Sequence, residues 1–413
     1  MEFFKTTFWA SLSTGVTMLC GLITTKYLAV LIGPAGMAYV GQFTNVMVLI
    51  LLLATGACVS GVVKYISQHK DIETQRSIFS NALILSSIAV FITGLVIIVF
   101  SGILSDNIFH TKSFQDILII YGLAMVFPTF NMLASAVFNG LHQIRTMSLL
   151  NIFNSAVNVA AVIISAKYFG IKGVLLASLV SAFLSFFIYL YFLNKKDILP
   201  QQAWFKNYHP QSMKLLLGFT AMNIVSGIIA PSLQLFVRTK LLHNFDANTA
   251  GLWQANIRLS DFYLNFVYTV ITIYYLPRLS EIQDHKLLKR EIRLAYVRIL
   301  PIVIAITFGI WIFRDLIVRV FLTQNFIDML VLLKWQLIGD VIKIASWILG
   351  YILVAKAMKK LFIGTELIFS LLFVLLNYYF INTYGMVGTV YAFALNYFLY
   401  LVTLAVILRK YIF

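Results

Sequence analysis

Apolar runs of about 20 residues follow one another with little pause between Phe8 and Leu408, and a helix of about 20 residues crosses a ~30 Å hydrocarbon core. Polar, charged and Gly/Pro positions fall mainly between the runs, where they end one helix and start the next. The pattern predicts twelve spanning helices, near residues 6–32, 37–63, 78–103, 117–139, 147–168, 173–193, 215–240, 250–277, 294–315, 328–355, 360–381 and 386–408. Some neighbours are divided only by tight turns, Gly33-Pro34-Ala35-Gly36 and Gly170-Ile171-Lys172-Gly173 among them. The first run is too long for a secretory leader and no small-residue cleavage site follows it, so the N-terminus is expected to stay attached.

Composition agrees with a membrane bundle. With 61% hydrophobic and 11% charged residues and a mean hydropathy of +0.91, the 413 residues lack the polar surface of a soluble fold. A net charge of +16 would suit nucleic acid, but no aromatic-basic interleaving or soluble domain goes with it, so no nucleic-acid partner is expected. The distribution of charge explains the excess. One set of alternate connections carries about 19 lysines and arginines, against about 7 on the other (Lys112, Lys167, Lys172, Arg238, Lys240, Arg314, Arg319). That bias puts both termini in the cytoplasm. Cys20 and Cys58 both fall in apolar runs and read as packing residues, and no metal or other cofactor is expected.

The longest connection, Asn194 to Lys214, mixes Lys, Pro, Gln and Trp and reads as an interfacial linker between an N-terminal lobe, 1–200 with helices 1–6, and a C-terminal lobe, 201–413 with helices 7–12. Short repeats support the division: Ala35-Gly36 matches Ala250-Gly251, and Gly170 to Val174 resembles Gly385 to Val390, both at an offset of about 215 residues. Six spans per half is an even number, so the halves share one orientation, related by an axis along the membrane normal. The expected fold is an all-α integral membrane protein, twelve transmembrane helices in two pseudo-symmetric six-helix lobes around a central cavity.

Polar residues inside the runs are the candidates for lining that cavity. Asn151, Asn154 and Asn158 stand at i, i+3 and i+7, which puts three amides on one face of the fifth helix. They suit either interhelical hydrogen bonds or the hydroxyls of a sugar-rich ligand; the same two readings hold for Gln42, Asn45, Asn223, Ser226 and Asn256. Asp340 lies twelve residues beyond Asp328, about 18 Å along a helix, near the membrane midplane. Lys343 one turn on, and Arg258 with Asp261, have the i,i+3 spacing of intrahelical ion pairs, which would either neutralise themselves or serve a substrate. Lys26, Lys64 and Glu366 are candidates that could equally mark helix ends. The sign of the charges separates ligand classes. The first six spans carry Lys26 and Lys64 and no carboxylate at depth, while Asp261, Asp340 and Glu366 belong to the second half, an arrangement suited to an anionic phosphate or pyrophosphate. The second-half carboxylates are then candidates for proton or sodium coupling or for counter-charge.

The strings GPAGMAYVGQF with Lys26 upstream, GLWQANIRLSDFYLNF, YYLPRLS and above all KWQLIGDVIKIASWILGYILVAKA resemble the Wzx flippases of Gram-negative bacteria, most nearly the group that moves O-antigen or enterobacterial common antigen repeat units. The resemblance implies the multidrug/oligosaccharidyl-lipid/polysaccharide exporter fold, and as substrate an undecaprenyl-pyrophosphate-linked oligosaccharide crossing the bacterial inner membrane. The glycan and pyrophosphate would cross inside the cavity while the lipid tail stays in the bilayer. It carries over the positions Lys26, Arg258, Asp261, Asp340 and Lys343, and implies as partners membrane lipid and the polymerase and chain-length regulator of the same pathway. Three competitors fit less well. A multidrug or cation antiporter of the related family would carry a functional acid in the first or seventh span, and neither has one. A major-facilitator carrier would show a Gly-rich Asp-Arg signature where this chain reads KYISQHKDIETQRS. An integral-membrane enzyme would need a sizeable outer loop and a catalytic cluster, neither of which the sequence contains, so no catalysis is expected.

Overall fold

The computed structural model describes residues 2–412 apart from 70, 110, 196–207, 283 and 357. The expected 200/201 boundary and most of the expected linker lie outside the described residues. Among the described residues all regular structure is helical: α1 (Glu2–Leu31), α2 (Gly33–Ala54), α3 (Val59–Gln68), α4 (Ile72–Val99), α5 (Ser101–Phe109), α6 (Gln115–Ala124), α7 (Val126–Gly140), α8 (Ile144–Lys195), α9 (Pro210–Asn244), α10 (Ala247–Val270), α11 (Leu276–Glu281), α12 (His285–Ile312), α13 (Arg314–Phe321), α14 (Leu330–Ala355), α15 (Lys359–Tyr384), α16 (Val387–Ile407) and α17 (Arg409–Ile412). Among the described residues eight are long and apolar enough to cross a membrane, and α6 with α7 pass the same test together, bent by 47° at their junction as in a broken span or a re-entrant loop. The 52 residues of α8 are two helices: Gly170 at φ 58°, ψ −142° breaks them, and hydrogen bonds from Ser185 to Asn154 and from Asn158 to Ser181 lay the two halves side by side. Adding α9 and α10, each of the twelve apolar runs coincides with a helical stretch among the described residues.

The chain forms two compact units, one of Met1–Ile32 with Tyr39–Leu235, the other of Gly33–Ala38 with Phe236–Phe413. The first turn of α2 belongs to the second unit because α10 packs on it: a Cβ added to Gly251 would lie 1.8 Å from the Pro34 carbonyl oxygen. Each unit has its own apolar core. In the first, Val62, Phe79, Leu133 and Phe138 pack together; in the second, Leu264, Ile344, Ile348 and Leu404 do so, beside a smaller cluster around Trp253 and Leu332. Large apolar side chains such as Phe91 (73% exposed), Leu123 (70%) and Phe169 (72%) stand on the surface, which suits hydrocarbon rather than water. This is a multi-pass, all-α integral membrane protein.

Two local devices shape the helices. The second span is broken at Gly56 and Ala57, both at positive φ (59° and 48°), and backbone freed within a membrane must find partners inside the protein. It does: Ser86 of α4 donates to the Thr55 carbonyl at 3.1 Å, Thr220 of α9 to that of Gly56 at 2.7 Å and Asn223 to that of Ala57 at 2.8 Å. The second device occurs twice. Gly170 and Gly385 adopt nearly the same positive-φ conformation (58°, −142° and 65°, −145°). Three residues after each, Gly173 and Gly388 sit where a Cβ would meet the backbone oxygen eight residues back, 2.4 Å from Ser165 and 2.0 Å from Phe380. Outside the spans, Asp71 and Asp246 cap α4 and α10 by accepting from the backbone N–H of Thr74 and Thr249, at 2.9 and 2.7 Å. Those bonds hold both carboxyls below the usual carboxylate range.

Candidate functional site

In the second unit, α10 presents two polar faces. Asn256, Ser260 and Tyr263, at i, i+4 and i+7, lie on the face toward α14, where Gln336 and Asp340 stand at i and i+4. Asn256 Nδ2 donates to Gln336 Oε1 at 3.2 Å, Gln336 Nε2 to Asp340 Oδ1 at 3.1 Å, and the Tyr263 hydroxyl to Asp340 Oδ2. Asp340 is fully buried, and these donors supply the hydrogen bonds that a carboxyl needs away from water. The Asn256 Oδ1 atom is buried and has no hydrogen-bond partner among the described residues.

The other face carries Gln254, Arg258 and Asp261. Against it comes Arg238 of α9, fully buried, donating to Gln254 Oε1 and holding its guanidinium 5.4 Å from the Trp253 ring centroid. Arg258 is its electrostatic neighbour, and Asp261 in turn neighbours Lys343 and Arg258. The Lys343 ammonium sits among three rings, 5.0 Å from Trp347, 5.5 Å from Tyr397 and 5.6 Å from Phe393. Three cations and two carboxylates therefore share one region of α9, α10, α14 and α16. Two guanidiniums that are electrostatic neighbours, each a planar fork of donors, are suited to the oxygens of a phosphate.

One expectation is corrected here. Arg238 does not lie on an outer connection, because α9 continues to Asn244 and puts it more than one turn inside the helix. Asp340 and Lys343 are electrostatic neighbours, while Tyr263 and Gln336 hold the Asp340 oxygens and the lysine ammonium lies among the aromatic faces. Glu366 of α15 is half-buried and joins the cluster only at one remove, as an electrostatic neighbour of Tyr400, itself next to Tyr397.

In the first unit the candidates are dispersed. Lys26 is half-buried in α1; Lys64 is exposed on α3, its ammonium 5.4 Å from the Tyr65 ring centroid. Of the amides on the fifth span, Asn154 accepts from Ser185 at 2.9 Å and Asn158 donates to Ser181 at 3.2 Å, across the α8 hairpin. Asn151 lies half-buried one turn before them. Asn45 donates to Gln234 at 3.1 Å and Gln42 to the Ile108 carbonyl at 3.1 Å. The side chain of Ser226 lies outside the described residues.

Residues 3–283 match the family model described as polysaccharide biosynthesis protein. The chain is 27% identical over 403 residues to the Lipid III flippase of Escherichia coli (strain K12), covering 97% of this chain and 96% of that protein, and equally so to the Lipid III flippase of Shigella flexneri. Among solved structures the fold is like an inward-facing multidrug resistance MATE family transporter of the MOP superfamily, with TM-score 0.77 at 17% identity over 96% of this chain and 94% of that one. It is also like the Lipid II flippase MurJ in its inward closed conformation, with TM-score 0.71 at 16% identity over 98% and 87%. With more than half its length matched by that model, the chain belongs to the polysaccharide biosynthesis protein family.

Proposed function

We propose that this protein is a flippase that moves undecaprenyl-pyrophosphate-linked oligosaccharide repeat units, of the O-antigen or enterobacterial common antigen class, from the inner to the outer leaflet of the bacterial inner membrane. The observation that carries the reading is the likeness to the Lipid III flippases along nearly the whole of both chains. The chemistry of the second unit fits it. A pyrophosphate cannot cross hydrocarbon bare, and Arg258 with Lys343 supplies fixed positive charge in its place. Lys26, in the first unit, is a further positive charge suited to an acidic headgroup. Asp261 and Asp340 temper that attraction so that release follows binding, and with Glu366 they are the groups through which a proton or sodium gradient would act. The cycle is alternating access, with both termini in the cytoplasm and the pathway's polymerase and chain-length regulator downstream. Export of lipophilic cations fits less well, because Arg238, Arg258 and Lys343 would repel such a load.

The test is complementation of flippase-deficient strains across a panel of defined glycan pathways. Restoration of surface glycan in one pathway is expected, together with its loss in Lys26→Ala at unchanged protein level. Resistance to cationic dyes with no glycan restored would instead identify an antiporter, and wild-type export by Lys26→Ala would remove the role given to that lysine.

A further inference from the structure

A second concentration of charge lies outside the α10–α14 network, where the chain leaves the π-helical turn Ile271–Tyr275, passes through α11 and doubles back into α12. π-helical turns interrupt the regular ladder and recur at functional sites. Here the interruption precedes Pro277 in the first turn of α11, and the chain turns at Asp284, whose carboxylate caps α12 by accepting from the Lys286 N–H at 2.9 Å. Leu287, Arg290, Glu291, Leu294 and Arg298 fall on one face of α12 by their spacing, and Tyr274, Arg278 and Ile282 come from the other side of the turn. An open cavity of about 510 Å³ lies between them.

The cavity holds three guanidiniums and one carboxylate. Arg278 is shared between acids, 4.0 Å from Glu291 and 3.5 Å from Glu281, so the excess of positive charge rests on Arg290 and Arg298, both exposed. They stand eight residues apart, about 12 Å along the helix, a spacing from which two long side chains can converge on one phosphate. The walls are apolar. Tyr274 and Leu287 are 58% and 52% exposed, and Leu294 lines the cavity beside them. A free phosphate gains nothing from such walls, whereas the glycerol and first methylenes of a lipid do. The 27 residues Lys286–Ile312 extend to about 40 Å, about 10 Å more than a ~30 Å core, so an overhang at this end carries Leu287 and Arg290 into the headgroup layer, and the long Arg298 side chain can snorkel toward them from below. Lys286, Lys289 and Arg293 add positive charge to the same end of the helix, and basic pockets at such positions favour acidic headgroups.

We propose that this cavity binds the phosphodiester headgroup of an anionic phospholipid from the surrounding leaflet, at a site separate from any that handles the transported glycan. The test uses the full chain in neutral detergent, delipidated and titrated with phosphatidylglycerol, phosphatidylcholine or inorganic phosphate, with bound lipid read by native mass spectrometry. Phosphatidylglycerol is expected to be retained at least about tenfold better than phosphatidylcholine, in line with a charge-assisted contact. The double substitution Arg290→Gln with Arg298→Gln is expected to remove that preference at unchanged elution volume, and Arg290→Lys with Arg298→Lys to keep most of it. Leu287→Ser should weaken retention of phosphatidylglycerol through the apolar wall alone. An undiminished preference in the glutamine pair overturns the proposal, as does displacement of the lipid by low millimolar inorganic phosphate, which would identify a simple anion site. Because the readout is lipid retention and not glycan export, failure here leaves the flippase reading standing, and the reverse also holds.

Discussion

A buried guanidinium is expensive, by several kcal/mol unless its charge and donors are met, and Arg238 is fully buried with Arg258 as its electrostatic neighbour. Gln254 and Trp253 hold it by a hydrogen bond and a ring face, so its position is fixed within the fold. Arg258→Lys keeps the charge and loses the fork. A charge-assisted hydrogen bond is worth about 1.5–3 kcal/mol, so roughly a 10- to 100-fold fall in glycan export is expected, measured as surface glycan per unit of expressed protein. Export at the wild-type rate would take Arg258 out of the binding machinery. The charges at Arg258, Asp261, Asp340 and Lys343 were legible because a charge inside an apolar run stands out against its neighbours. Arg238 falls within the last turn of the expected seventh helix and reads as part of the connection, although Leu241 and Leu242 just beyond it extend the apolar run. Tyr263 and Gln336 gave no such signal, since which neighbour a polar side chain meets depends on how α10 and α14 dock. For the same reason the asparagines could not be divided between ligand and packing, and the structure gives Asn154, Asn158 and Asn223 partners within the fold.

At the scale of elements, the matching strings around Gly170 and Gly385 correspond to one turn built twice. Only glycine adopts the positive φ at their first position without strain, and only glycine fits at their fourth, against a backbone oxygen. Backbone cannot swing aside as a flexible side chain can, so adding one methyl should force the helices apart at a cost of about 1–3 kcal/mol. Gly388→Ala is therefore expected to lower the thermal midpoint of the detergent-purified protein by several degrees. Gly364→Ala on α15, where a Cβ would meet nothing within 4 Å, should leave it unchanged or raise it, because alanine is the better helix former. Equal midpoints for the two variants would mean that the packing at Gly388 relaxes freely. A related expectation concerns the broken second span. Asn223→Val keeps much of the volume and removes the donor to the Ala57 carbonyl, which should cost about 1–3 kcal/mol for a carbonyl left unsatisfied, seen as a lower midpoint. That break could not be read from the sequence: Thr55-Gly56-Ala57 lies within an apolar run, and its partners come from helices distant along the chain.

Over the whole molecule, α9 and α10 are the long helices that carry Arg238, Gln254, Asn256, Arg258 and Asp261. A helix that lines a polar site gives up hydropathy in proportion to the polar groups it contributes, so crossing and binding compete for the same positions. Whether both helices cross decides how the protein lies in the membrane. If they do, the charge bias places the turn between them outside, together with the connections after the third and ninth spans. If neither crosses, the parity of every other span is unchanged and only that turn moves to the cytoplasm. Cysteines introduced at Lys112 and Gln324 cannot distinguish the two cases, whereas one at Asn244, exposed at the end of α9, can. In a background with Cys20 and Cys58 replaced, a membrane-impermeant maleimide applied to intact spheroplasts is expected to label Lys112→Cys, Gln324→Cys and Asn244→Cys. His69→Cys and Lys359→Cys should react only after permeabilisation. Protection of Asn244→Cys, with the other four as expected, would mean that α9 and α10 do not cross, and that the cationic cluster they carry could not stand in the path of a lipid-linked anion.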